Sequence, residues 1–258
     1  MLFQDETLDH LFPGNIKIFQ KKKGYRFSID SILLAHFVRL KEGQKVVDLG
    51  TGSGVIPIIL AKKAKSTEIW GVEIQDELAK MAKRNIEINH LQGRVHILQG
   101  DARNLVNRME SEEFDIVLTN PPYRKIRSGR LNPQRQKAIA RHEIKGSLTD
   151  MAKIGFCLLR PKASFYLVYP AVRIADLITC VRESHLEPKR LRLVHPNMEK
   201  GAQLILVEAI KWGRPGVEIH PPLFIYDLNG QYSEEMRSIY SSTTEFSRKS
   251  GNVKIPKV

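Results

Sequence analysis

From residue 44 onward, apolar and polar positions follow two alternating rhythms. Lys45–Leu49 is a short apolar run, a glycine-rich turn follows, Val55–Lys63 carries helical spacing, and Glu68–Val72 is again a short apolar run. Similar runs at Val95–Leu98, Phe114–Leu118, Ser164–Tyr169, Arg190–His195 and Gln203–Ile210 bring the expected strands to seven. Helical spacing lies between them at Asp76–Ile88, Leu148–Leu159 and Ala171–Ser184. Strands that alternate with helices bury both faces of a sheet, so the pattern predicts an α/β fold with a doubly wound, seven-stranded, mostly parallel sheet. Ahead of this core, Ser31–Leu40 has apolar residues at helical spacing, with Ser31 as the expected cap. Behind it, residues 212–258 hold Pro215, Pro221 and Pro222, an expected helix near Glu234–Tyr240, and a basic tail with Arg248, Lys249, Lys254 and Lys257. The expected organisation is one domain: an N-terminal segment and capping helix (1–43), a core (44–211) and a C-terminal extension (212–258).

Composition adds a charge to this outline. The chain has 258 residues, 42% of them hydrophobic and 27% charged, which is ordinary for a globular protein. Its 41 Lys and Arg face only 28 Asp and Glu, giving a net charge of +13. That excess favours polyanions, either nucleic acid or an anionic membrane surface, beside its plain contribution to solubility. The two cysteines, Cys157 and Cys180, show no CxxC spacing. Neither a disulfide scaffold nor a metal site is expected, and both cysteines are placed on packed helices. The first residues, with Asp5, Glu6 and Asp9, lack a secretion signal, and no apolar run approaches the roughly 20 residues that span a bilayer. A cytoplasmic protein with no membrane partner is the expectation.

The stretch Val46-Val47-Asp48-Leu49-Gly50-Thr51-Gly52-Ser53-Gly54 leaves the first core strand and opens a helix. Gly50 and Gly52 allow a sharp turn and close approach of a ligand to bare backbone, and Gly54 allows tight helix packing. A nicotinamide dinucleotide site also starts with such glycines, but its spacing is GxGxxG and it seats a pyrophosphate on the helix N-terminus. Here the spacing is GxGxG, and Asp48 just upstream disfavours a pyrophosphate while suiting an ammonium group. In sequence this resembles motif I of the class I S-adenosylmethionine methyltransferases. Glu73, at the end of the second core strand, is a candidate acceptor for both ribose hydroxyls. Asp101 and Ala102, after the third, are candidates for the adenine amine and ring. Each has a plainer reading, as a strand-end acid or a helix cap.

The fourth core strand runs into Thr119-Asn120-Pro121-Pro122-Tyr123. This NPPY sequence resembles motif IV of methyltransferases that modify nitrogens conjugated to a ring or carbonyl. Such a nitrogen is a poor nucleophile because its lone pair is delocalised. The Asn120 side-chain oxygen and the Pro121 carbonyl can each accept one N–H, which leaves the lone pair aimed at the methyl carbon. Pro121 and Pro122 stiffen the loop, and Tyr123 can stack on a planar base. Asn120 is also counted among the cofactor contacts.

Between Arg124 and His142 lie seven Arg or Lys and no acid, a segment suited to phosphates beside the bound nucleotide, or simply to solvent. Arg26, Ser28 and Asp30 are weaker candidates for the cofactor's methionine end. The segments YRFSIDSILLAHF, VVDLGTGSG, GDARN, TNPPY, ARHE at Ala140–Glu143 and FIYDLNGQYSEEMRSIY together resemble the bacterial methyltransferases that form N6-methyladenosine beside the anticodon of a valine tRNA. That resemblance implies a Rossmann-like methyltransferase fold, S-adenosylmethionine as cofactor and tRNA as partner. It also implies roles for Asn120, Pro121, Tyr123, the glycine turn, Glu73 and Asp101, and it gives His142 and Glu143 no role that the residues themselves explain. The alternatives are a glutamine methyltransferase of protein release factors, which uses the same NPPY chemistry, a ribosomal RNA methyltransferase, and a non-catalytic RNA-binding module.

Overall fold

The computed structural model describes residues 2–12, 15–24, 26–104, 113–121 and 148–241. It opens with strands β1 (Glu6–Leu11) and β2 (Ile16–Lys21), paired antiparallel from Glu6 opposite Lys21 to Leu11 opposite Ile16. There follow α1 (Ile29–Phe37), β3 (Lys45–Leu49), α2 (Val55–Lys63), β4 (Glu68–Glu73), α3 (Asp76–Ile88), β5 (Val95–Gln99) and β6 (Phe114–Thr119). The second half contains α4 (Leu148–Leu158), β7 (Leu159–Pro170), α5 (Ile174–Glu183), β8 (Leu186–His195), β9 (Leu204–Lys211), two-residue strands β10 (Glu218–Ile219) and β11 (Leu223–Phe224), and α6 (Glu234–Ser241).

All seven expected strands are present in one sheet ordered β10-β8-β9-β7-β6-β3-β4-β5, with β11 also pairing β8. Every pairing in it is parallel except those of β9 with β7 and with β8. The order reverses direction at β3, with β4 and β5 on one side and β6 on the other. An open α/β sheet forms its ligand crevice at such a switch point, outside the carboxyl ends of the strands. One apolar core joins this sheet to the N-terminal hairpin, α1, α2, α3 and α6, and the other joins its opposite face to α4 and α5. Cys157 lies on α4 and Cys180 on α5, both as free thiols.

Several boundaries differ from the sequence reading, β8 among them, which begins at Leu186 and not at Arg190. Helix α1 starts at Ile29 with Ser28, in extended backbone, at its cap position and no side-chain cap bond there. Ser31 is therefore inside the helix, where its hydroxyl does something other than capping. The segment from Ala171 opens as a short 3-10 turn before α5. Strand β7 begins at Leu159, directly after α4, and its extra residues between Leu159, opposite Phe114, and Ser164, opposite Ile116, take up the change of register with β6.

The β1–β2 hairpin is an addition that the sequence reading did not contain. It lies against α3, where two asparagines act as a substitute strand edge. Asn85 Oδ1 accepts from Phe19 N at 2.7 Å and Asn89 Oδ1 from Lys17 N at 3.0 Å, while their amide nitrogens donate to the carbonyls of Phe19 and Lys17. The unpaired side of β2 is thereby satisfied without another strand. No helix among the described residues is long and apolar enough to cross a membrane.

Candidate active site

Four strand ends converge at the switch point, and hydrogen bonds stitch them together. Leu49 at the end of β3 pairs with Thr119 of β6 on one side and Val72 of β4 on the other. The Thr119 hydroxyl, fully buried, donates to the Leu49 carbonyl at 2.9 Å. Gly50 N and Thr51 N both donate to the Val72 carbonyl at 2.9 Å, and Gly100 N donates to the Glu73 carbonyl at 2.9 Å. The glycine turn after β3, the acid ending β4, the Asp101 segment after β5 and Asn120 after β6 thus lie at the carboxyl ends of adjacent parallel strands, where such a sheet forms its ligand crevice.

The turn requires its glycines where φ is positive. Gly52 has φ +58° and Gly54 φ +82°, and a Cβ on Gly54 would lie 3.2 Å from the Ala82 Cβ, so α2 begins in close contact with α3. Asn85 of α3 donates to the Ser53 carbonyl at 2.9 Å and fixes the turn from below. Glu73, 5% exposed, braces it from β4: Oε2 accepts from Gly52 N at 2.9 Å and Oε1 from Gln75 N at 2.8 Å.

Asp48 is in a different state. It is completely buried, and neither carboxylate oxygen has a hydrogen-bond partner. Burial pushes its pKa up to about 7, and the nearby Glu73 charge adds to the rise. The neighbouring Thr51 hydroxyl counteracts this only in part, since its geometry does not amount to a hydrogen bond. The Thr51 and Ser53 hydroxyls are also buried without partners. Buried polar groups are normally satisfied, so a cluster of orphans around a glycine turn marks a place that a polar ligand completes.

Asp101 is committed to Arg103, whose Nε lies 3.0 Å from both carboxylate oxygens and whose backbone N donates to Oδ1 at 2.9 Å. The Arg103 hydrogen bonds hold the Asp101 carboxyl below its usual range. A ligand amine at Asp101 would share these oxygens with an exposed guanidinium. Ala102 is buried and opens a 3-10 turn. Asn120 sits at the crevice rim with its amide nitrogen donating to the Ser31 hydroxyl at 3.1 Å, and Pro121 behind it is buried. Pro122, Tyr123, His142, Glu143, the basic segment 124–142 and the basic tail lie outside the described residues. Arg26 is turned to the hairpin, where it pairs with Asp9 at 2.6 Å and donates to Thr7 and to the Lys21 carbonyl. A separate hollow of about 430 Å³, lined in part by Phe3, Glu6, Glu77 and Arg84, lies between the hairpin and α3 and takes no part in the crevice.

The residues present fit S-adenosylmethionine. The orphaned Asp48 carboxylate suits a cationic methionine moiety, and the positive-φ glycines bare the backbone on which it rests. Fold and crevice together define the class I methyltransferases that use this cofactor. The model of the methyltransferase small domain matches residues 23–145. Curated relatives named tRNA1(Val) (adenine(37)-N6)-methyltransferase include one from Porphyromonas gingivalis, 30% identical over 74% of this chain and 76% of its own. Another, from Vibrio campbellii, is 28% identical over 87% of this chain and 90% of its own. The chain belongs to the tRNA1(Val) (adenine(37)-N6)-methyltransferase family. Solved structures with the same fold include a predicted O-methyltransferase from Agrobacterium tumefaciens, with TM-score 0.68, 21% identity and coverage of 83% of this chain and 96% of that one. They also include the Thermus thermophilus 16S rRNA N2 G1207 methyltransferase in complex with AdoMet and guanosine, with TM-score 0.57, 20% identity and coverage of 80% and 50%.

Proposed function

We propose that this chain methylates the exocyclic N6 amine of an adenine in tRNA, position 37 of tRNA1(Val), in the cytoplasm, and that Asn120 and Pro121 hold that amine. The observation that carries the reading is the placement of Asn120 immediately beyond the Leu49–Thr119 pairing, across the switch point from the glycine turn. Its amide nitrogen is engaged by Ser31, which leaves Oδ1 for an incoming N–H. The cofactor, when bound, supplies an electrophilic methyl carbon on a sulfonium. Asn120 Oδ1 and the Pro121 carbonyl then each accept one N–H of the amine, which localises its lone pair toward that carbon. Transfer would form an N–C bond as the cofactor's C–S bond breaks, and the surplus proton would leave the nitrogen for solvent. Asp48 would face the cofactor's ammonium, Gly50, Gly52 and Gly54 would shape its seat, Glu73 would take the ribose hydroxyls on the lone pairs that Gly52 N and Gln75 N leave open, and Asp101 and Ala102 would hold the adenine. Pro122 and Tyr123 complete the loop on the substrate side, with Tyr123 stacking on the target base. The charge of +13 on the whole chain favours encounter with the polyanionic substrate.

Incubation with labelled cofactor, a tRNA1(Val) transcript and a release factor tests the reading directly. Label is expected in the tRNA as N6-methyladenosine, and Asn120→Ala is expected to lose transfer while retaining cofactor affinity. Label in the release factor instead of the tRNA, or an Asn120→Ala variant that transfers at the wild-type rate, would overturn it.

A further inference from the structure

We infer that Ser31 is a positioning residue for methyl transfer, its hydroxyl holding the Asn120 carboxamide so that Oδ1 faces the crevice. The inference rests on the proposed role of Asn120 and adds a residue from a different element, α1. A carboxamide is nearly symmetric in shape, and rotation by half a turn exchanges an acceptor for a donor. Turned the wrong way, Asn120 would present N–H to N–H, and the amine would lose the contact that localises its lone pair.

A serine hydroxyl can donate or accept, and in the structure it accepts from the amide nitrogen, which sets Oδ1 on the other side. Ser31 is 4% exposed, and its hydroxyl accepts the Asn120 amide at 3.1 Å. The hydroxyl is not consumed by helix capping, because Ser28 occupies the cap position. The helix that carries it is itself held at its far end. Arg190 donates to the Phe37 carbonyl at 2.7 Å, Lys63 donates to the Ala35 and Val38 carbonyls at 2.9 and 3.3 Å, and Arg39 N donates to the Tyr166 hydroxyl at 3.4 Å. Arg190 and Tyr166 in turn both donate to Glu208, at 2.7 Å each, within the sheet. Asn120 is also fixed from its own side, since Thr119 before it is bonded to Leu49 and Pro121 after it is buried. Two rigid elements thus meet through one side-chain bond, which is what precise orientation of a reacting group needs.

The test is single-turnover transfer from labelled S-adenosylmethionine to a tRNA1(Val) transcript. Ser31→Ala is expected to slow the transfer step about tenfold, the scale of one net hydrogen bond, with cofactor Kd and RNA KM within twofold of wild type. Ser31→Thr keeps the hydroxyl and is expected to recover most of the rate, whereas Ser31→Val, of the same shape without it, is expected to match Ser31→Ala. The Thr and Val pair carries the comparison even if Ser31→Ala proves unstable. A rate within twofold of wild type for Ser31→Val, equal rates for Thr and Val, or a loss confined to cofactor affinity would overturn the inference. Slow transfer by Asn120→Ala beside normal transfer by Ser31→Val would sink Ser31 alone, whereas normal transfer by Asn120→Ala would sink both.

Discussion

Replacement of Asp48 by Asn should abolish a pH dependence of cofactor binding that the wild type possesses. In the free protein the buried, unpartnered Asp48 titrates near 7, and a cationic cofactor beside it requires the ionised form. With that midpoint, roughly 3% of Asp48 is ionised at pH 5.5 and about three-quarters at pH 7.5, so wild-type affinity for S-adenosylmethionine should rise about 25-fold across that window. Calorimetric titration in buffers of different ionisation enthalpy checks both the affinity and the proton released on binding below pH 7. Stability without ligand moves the other way. The folded-state pKa of Asp48 is raised from 3.8, so ionisation adds no cost well below pH 3.8, and that cost grows as pH rises to 7. There it reaches at most about 4 kcal/mol. Unliganded Asp48→Asn should therefore gain stability relative to wild type as pH rises from 4 to 8. A wild-type affinity that is flat between pH 5.5 and 7.5, or the same slope in Asp48→Asn, would refute this account of Asp48.

Three further substitutions probe the scaffold. Asn85→Ala strands the backbone groups of Phe19 and the Ser53 carbonyl in a buried position, and denaturant unfolding should register a loss of about 3 kcal/mol. Gly54→Ala forces a side chain into φ +82° and 3.2 Å from Ala82; a cost of about 1–2 kcal/mol in stability should come with weaker cofactor binding in the same titration. Arg190→Met leaves the buried Glu208 without its charge partner and frees the Phe37 carbonyl, and a thermal melt should show a destabilisation of about 3–5 kcal/mol.

The core was legible because its strands are buried on both faces and read as unbroken apolar runs, with Val46 and Val47 of β3 and Val117 and Leu118 of β6 all inaccessible. The hairpin was not, although Pro13-Gly14 between two candidate strands is a turn signal. Its inward positions include Glu6 and Gln20, 3% and 2% exposed, which break the apolar alternation that identifies a strand. Both are satisfied by partners distant in sequence or across the hairpin: Glu6 by Arg84 at 2.7 Å, and Gln20 by Asp9 and by the amide of Phe27. A strand whose buried face is polar and paired shows no period. The same limit hid the use of Ser31, whose partner Asn120 lies 89 residues away. Local spacing marked Ser31 as a cap, and only the fold brings it to β6.

The two carboxylates at the glycine turn differ in how the folded chain satisfies them. Glu73 has each oxygen occupied by a backbone N–H, from Gly52 and from Gln75, so its charge is already answered by the chain and it holds the turn in shape. Asp48 has neither hydrogen bond nor counter-charge, so the folded protein alone bears the cost of its ionised form. A cation that enters the crevice relieves that cost, and the relief appears as affinity. An uncharged ligand of the same shape gains none of it. On the proposed role of Asp48, recognition of a positively charged methyl donor would follow from leaving one buried acid unpaired, while its neighbour also keeps the backbone in place.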